Sequence, residues 1–287
     1  MGVVNITPDS FSDGGHFLDP EAAVAQALKL MDEGADLLDL GAESTRPGSR
    51  AGGAAGTSFA PAVSAEEEQA RLLPVLEGIL RARSAAIISV DTYKASTARA
   101  ALKAGAEIVN DVSGLAWDAE MAAVCAEFSA GVVLMHTRGR PEEWRAQAQL
   151  APDALLATVR EGLAASLSAA ISSGIPPDAV VLDPGYGFGK RFDENYSLLA
   201  RQAELLSLGR PLLAGLSRKS FLGRTLAPLN DGSDAPVEAR EAASLAALTA
   251  AILRGASIVR VHEVRPAVEA ARIADAILAA SQPEQGR

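Results

Sequence analysis

The chain has 287 residues, 48% of them hydrophobic, enough for one large barrel or two ordinary domains, so length alone does not choose between them. A formal net charge of -10 excludes a basic footprint for nucleic acid or an anionic membrane, and 4% aromatic content disfavours a base-stacking platform, so any anion site must be built locally. A single cysteine, no apolar run near the roughly 20 residues of a membrane span, and no basic-then-apolar leader together predict a cytoplasmic protein that binds neither membrane nor nucleic acid.

Val3 to Asn5 form a first strand, which stops in TPDSFSDGG, a loop stiffened by Pro8 and closed by glycines. A helix follows over 20–34, with Pro20 at its start and Gly34 at its end. Strand two is DLLDLG (36–41), and its helix (64–80) opens on a capping box of Ser64 and Glu67. Between them RAGGAAGTSFAPA (50–62) is low in complexity and reads, with 46–49, as a mobile surface loop carrying an insertion. AIISVD (86–91) is strand three with a helix over 94–105, and EIVND (107–111) is strand four. The next helix, 119–128, holds Cys125 as an inert small core residue. GVVLMH (131–136), AVVLDP (179–184), PLLAGLS (211–217) and SIVRVHE (257–263) are strands five to eight, followed by helices over 155–174, 194–206, 238–255 and 265–278. Strands separated by helices run parallel, and strands buried on both faces read as unbroken Val, Ile and Leu runs, as these do. Eight such units predict an α/β fold, a single-domain (βα)8 barrel of the triosephosphate isomerase (TIM) type over 1–287, with an open parallel sheet as the alternative.

In such a barrel function collects where strands end. Strand one ends in Asn5, strand three in Asp91, strand four in Asn110 and Asp111, and strand six in Asp183; strand seven runs into Ser217, Arg218 and Lys219, and strand eight carries Arg260 and His262. Alternation puts Arg260 and His262 on the face of Ile258, Asp91 on that of Ser89 and Asp183 on that of Val181, so each set can point into the barrel mouth. Any one carboxylate could instead form an Asx turn or a helix cap. Together they imply mutual partners or a polar ligand, because buried charges are costly unless paired. A carboxylate accepts two parallel hydrogen bonds from a guanidine-like edge, and an asparagine amide completes the pattern of an aminopyrimidinone. Asp183 with Asn110, and Asp91 as a further candidate, therefore suit a pterin or a guanine-like ring. Arg260 and His262 lie where barrels commonly hold phosphate, and Asn5 could join phosphate oxygens around Mg2+. Lys219 supports a rival, since a Schiff-base aldolase would place its nucleophile on a barrel strand. DPGYGFGK (183–190) departs from P-loop spacing and reads as a flexible turn presenting Phe188 and Lys190 at the mouth. His136 is open between ligand, general base and buried structural residue.

The segments MGVVNITPDSFSDGG, LGAESTRPG, SVDTYKA, AGAEIVNDVSG, MHTRG, DPGYGFGK, GLSRKSFLG and RVHEV, in this order through nearly the whole chain, resemble the dihydropteroate synthase family of pterin-binding barrels, folate-pathway enzymes that sulfonamides inhibit. The resemblance implies transfer of a (7,8-dihydropterin-6-yl)methyl group from its diphosphate to 4-aminobenzoate, with Mg2+. It implies that Asp91, Asn110, Asp183 and Lys219 hold the pterin, that Asn5, Thr45, Arg260 and His262 hold the diphosphate, and that Asn5 is the metal-associated residue. Asp9, Ser10 and Phe11 of the first loop, Arg46 and Pro47 of the second, and Phe188, Ser217 and Ser220 are expected at the aminobenzoate site. A homodimer is implied too. A methyltetrahydrofolate-dependent methyltransferase barrel would need the Asp and Asn socket but not STRPG, SRKS or the first loop; a pterin-binding barrel without turnover is the non-enzymatic alternative. Glu263 stands where the family commonly has aspartate, Ala42 where a second glycine is usual, and the chain begins at strand one without the customary upstream segment.

Overall fold

The computed structural model describes residues 1–7, 19–43 and 63–281. Eight parallel strands neighbour one another in chain order: β1 (Gly2–Asn5), β2 (Leu38–Gly41), β3 (Ile88–Asp91), β4 (Ile108–Asp111), β5 (Gly131–Met135), β6 (Val180–Asp183), β7 (Leu212–Ala214) and β8 (Ala256–Val259). The ring closes just past β8, where the Val3 N–H donates to the Val261 carbonyl at 2.9 Å and the Val261 N–H to the Met1 carbonyl at 3.0 Å. That closure removes the open sheet and leaves the TIM barrel.

The helices are α1 (Pro20–Asp32), α2 (Ala65–Ala82), α3 (Ala95–Lys103), α4 (Met121–Glu127), α5 (Pro152–Ser172), α6 (Phe192–Ala200), α7 (Ser220–Thr225), α8 (Glu241–Leu253) and α9 (Val264–Ser281). Their starts follow local chemistry. The Asp19 carboxylate accepts the Glu21 N–H at 2.9 Å ahead of α1, and Ser64 Oγ accepts the Glu67 N–H at 3.2 Å ahead of α2. The short α7 lies within a stretch expected to be loop, and the seventh and eighth strands end sooner than expected. After Ala214 the chain leaves the ladder and turns at Arg218, a non-glycine residue at φ 61. The Arg218 N–H donates to Ser244 Oγ at 2.9 Å, and Arg240 Nη1 donates to the Arg218 carbonyl at 3.0 Å, so neighbouring elements hold that turn.

Two apolar layers follow from strand alternation. Outward residues such as Val4, Leu40, Val90, Val109, Leu134 and Leu182 pack under the helices with Leu72, Leu76, Val159 and Leu163. Inward residues Leu37, Ile108, Val133, Val181, Leu213 and Ile258 fill the barrel interior. Two residues past Ile108, Val181 and Ile258 lie Asn110, Asp183 and Arg260, so the pleat that fills the floor also raises these polar residues into the mouth, while Asp39, two residues past Leu37, stays one pleat lower. Cys125 is buried on α4, and burial pushes its thiol up to about 12, so it is inert as expected. One expectation changes: α5 has 21 residues and a mean hydropathy of 1.3 in its most apolar stretch, long and apolar enough by composition to cross a membrane. In the barrel it packs against β5 and β6 with Leu155, Leu156, Val159 and Leu163 buried, and turns Arg160 and Glu161 outward.

Candidate active site

A cavity of about 320 Å³ opens at the C-terminal ends of the strands. Its lining brings together Asn5 from β1, Asp91 from β3, Asn110 from β4, Asp183 and Phe188 from β6 and its loop, Ser217, Lys219 and Ser220 after β7, and Arg260 and His262 after β8. Every expected site residue within the described segments is there. Asp9, Ser10, Phe11, Thr45, Arg46 and Pro47, and the insertion at 50–62, lie outside the described residues.

The charges are organised around Arg260. Its Nε donates to Asp39 Oδ2 at 2.5 Å and its Nη2 to Asp91 Oδ2 at 2.7 Å. Burial alone would pull its guanidinium down, but Asp39 and Asp91 more than reverse that, so it stays a cation. Burial pushes Asp91 up to about 7 against the opposing pull of Arg260. Burial also raises Asp183, opposed by the Gly185 N–H that donates to its Oδ1 at 2.7 Å and by Lys219. His262 Nδ1 lies 3.0 Å from Ser217 Oγ, so that hydroxyl lines the cavity and orients the imidazole. Lys219 Nζ sits 4.2 Å from the centre of the Phe188 ring. The amine thus lies over an aromatic face, with its charge acting on Asp183.

Opposite the polar edge is an apolar wall. Tyr93, Val112 and Met135 pack together with Trp117 and Phe188, and Trp144 meets Phe188 edge-on at 5.1 Å. A flat heterocycle between this wall and the Asp183, Asn110 and Asp91 side chains would find both a dry face and a hydrogen-bonding rim.

Lys190 and Asp39 depart from expectation, and the open reading of His136 is decided. Lys190 is not presented at the mouth: it is buried, and its Nζ donates to the carbonyls of Gly185 at 2.8 Å, His136 at 3.1 Å and Phe188 at 3.2 Å, stapling the loop from beneath. Burial lowers it to about 7. His136 takes the structural role: its ring packs on Gly162 in α5, and burial, with Lys190 and Arg138 near, lowers it to about 2, so it is neutral. Asp39 was missed. It is fully buried and accepts from Ser89 Oγ at 2.7 Å and Asn110 Nδ2 at 3.0 Å as well as from Arg260. The signal available was an aspartate amid leucines in DLLDLG, since a charge inside an apolar strand requires partners. Glu43 and Arg240 also line the cavity unforeseen. Glu43 pairs with Lys94 at 2.5 Å, which also reaches Glu68 at 2.9 Å, a buried network at the end of β2. Glu263 pairs with Arg218, and Ala42, where glycine is usual, is fully buried.

A second cavity, about 250 Å³, lies between the starts of α8 and α9. Its wall carries Glu238, Glu241 and Glu263 against Arg218, so it disfavours anions.

Comparison with known proteins gives the chain's family. Residues 1–262 match the family model described as pterin binding enzyme. The dihydropteroate synthase of Mycobacterium leprae (strain TN) is 42% identical over 278 residues, spanning 97% of this chain and 93% of the relative. Among solved structures, Xanthomonas albilineans dihydropteroate synthase with 4-aminobenzoic acid is 41% identical with a TM-score of 0.82, covering 98% of this chain and 93% of that one. Yersinia pestis dihydropteroate synthase in a sulfonamide drug complex is 36% identical with a TM-score of 0.84, with coverage of 98% and 93%. Similarity at this level over nearly full length disfavours the methyltransferase-type alternative.

Proposed function

The chain belongs to the dihydropteroate synthase family of pterin-binding enzymes, and on that footing we propose that it transfers the (7,8-dihydropterin-6-yl)methyl group from its diphosphate to the amino nitrogen of 4-aminobenzoate, giving 7,8-dihydropteroate and diphosphate in folate biosynthesis. The observation that carries this reading is one cavity holding Asp91, Asn110 and Asp183 on one side and Arg260 and His262 on another.

Asp183 and Asn110 would hold the aminopyrimidinone edge, with Asp91 beside them and Lys219 offering its ammonium to ring acceptors. Arg260, kept cationic by Asp39 and Asp91, would bind the diphosphate with His262. As the methylene C–O bond lengthens, negative charge grows on the leaving oxygens, and Arg260 stabilises it more strongly than in the ground state. Positive charge is carried by the electron-rich pterin. The amine nitrogen then bonds to the methylene carbon and gives up its proton, and no nucleophile on the protein is required. Val112, Met135 and Phe188, which line the cavity, would keep water from the reacting carbon. Phe188, Ser217 and Ser220 would border the aminobenzoate, and sulfonamides would compete there, as the Yersinia pestis complex supports.

Magnesium fits as part of this proposal. Asn5 brings a neutral amide to the cavity, and among the described residues no three His, Cys, Asp or Glu side chains cluster to hold a metal by themselves. An ion held chiefly by diphosphate oxygens with Asn5 as its protein ligand matches that donor set. When bound, it would neutralise charge on the departing diphosphate. A cytoplasmic homodimer completes the reading; Ile273 and Ile277, 63% and 49% exposed and one turn apart on α9, are residues such an interface would cover.

The test is diphosphate release by the purified protein with magnesium. Release only when both substrates are present supports the reading; no release with both refutes it.

A further inference from the structure

Asp39 lies one pleat below the cavity, mid-strand in β2, where the register sets it beside Val3 and Ser89. Its carboxylate is fully buried. Oδ1 accepts the Ser89 hydroxyl at 2.7 Å, and Oδ2 accepts both Asn110 Nδ2 at 3.0 Å and Arg260 Nε at 2.5 Å. Both oxygens are taken by the protein, and Asp39 does not line the cavity. Any influence on the ligand therefore runs through its partners.

Those partners are constrained in specific ways. A carboxylate only accepts, so the Asn110 amide must turn its nitrogen toward Asp39; flipping would set two oxygens against each other. The cavity thus meets the Asn110 carbonyl and one remaining N–H. The Arg260 fork is gripped at Nε by Asp39 and at Nη2 by Asp91, which fixes its plane and leaves its other N–H groups for an anion. We propose that Asp39 is a positioning residue that couples the pterin socket to the diphosphate clamp, because one buried oxygen sets the orientation of both Asn110 and Arg260. This rests on the function proposed above, in which those side chains hold opposite halves of one substrate.

The experiment titrates two separate probes, 6-hydroxymethyl-7,8-dihydropterin and magnesium diphosphate, into the wild-type protein and the near-isosteric Asp39→Asn variant, with melting curves to establish folding. Asparagine cannot accept from Ser89, Asn110 and Arg260 together, so both affinities should fall about tenfold or more. The KM for 4-aminobenzoate should change far less, a split that a merely structural aspartate would not produce. A folded variant that binds both probes like wild type, or loses only one, overturns the coupling. Should Asp39→Asn fail to fold, Ser89→Ala decides: it frees Oδ1 and should weaken both probes by about threefold, and unchanged binding overturns the proposal. Wild-type protein that binds neither probe would instead sink the functional reading itself.

Discussion

Asp183 and Arg260 serve opposite halves of the proposed substrate, so their loss should separate. Asp183→Ala should weaken the diphosphate-free pterin by about a hundredfold, from lost charge-assisted hydrogen bonds, while sparing inorganic diphosphate; Arg260→Ala should do the reverse. Calorimetric titration of each ligand checks this, and equal, small losses from both variants would remove the division of labour. His136 makes a different prediction. Burial lowers it from 6.5 to about 2, so between those limits the unfolded chain binds one more proton than the native protein. Its contribution to stability is complete above the unfolded value and is lost as pH falls below it, by up to about 1.4 kcal/mol per pH unit. Denaturant titrations of His136→Gln across the acid range should show a shallower pH dependence than wild type; superimposable slopes would mean the native histidine is protonated. Asp183, Asn110 and Arg260 were legible because they end apolar strands on a common parity. Asp39 was not, since its meaning lies in partners 50, 71 and 221 residues away that only barrel closure assembles.

The loop after β6 looks flexible in sequence, with glycines at alternate positions, yet its backbone is tightly specified. Gly185 sits at φ +70, and a Cβ there would lie 2.0 Å from the His136 carbonyl oxygen, so no other residue fits. Beneath it Lys190 joins three carbonyls, and Asn195 Oδ1 accepts the Gly187 N–H at 2.7 Å from α6. Arg138 adds a buried pair with Glu194 at 3.2 Å. Lys190→Met should take a donor from three carbonyls, of which those of Gly185 and Phe188 keep a backbone N–H, and destabilise the protein by about 1–3 kcal/mol in urea unfolding. It should also raise the KM for 4-aminobenzoate, because Phe188 rides on the same loop. Stability equal to wild type would show that the lysine does not hold the loop. Sequence placed this element correctly after a strand but read a buried lysine as a presented one: a lysine beside glycines resembles a ligand-facing residue until the carbonyls it faces are known.

At the scale of the whole molecule, the period-two and helical patterns carried the barrel because each strand is sealed on both faces and each helix has one apolar side. They did not carry α7 or the early end of β7, where contacts from α8 impose a left-handed turn at Arg218 that local propensity does not favour. The proposed homodimer makes a prediction at the outer face of α9. Replacing both Ile273 and Ile277 with glutamate should convert a dimer to folded monomers in sedimentation equilibrium; a dimer that survives would place the interface elsewhere. In the proposed reaction one cavity orients a pterin diphosphate between two sets of strand ends. A crystal structure with that substrate and magnesium bound tests it most directly. The ring should lie against Asp183, Asn110 and Asp91, with the diphosphate at Arg260, His262 and Asn5. A ring at the Arg260 end, or substrate seated between α8 and α9, would contradict it.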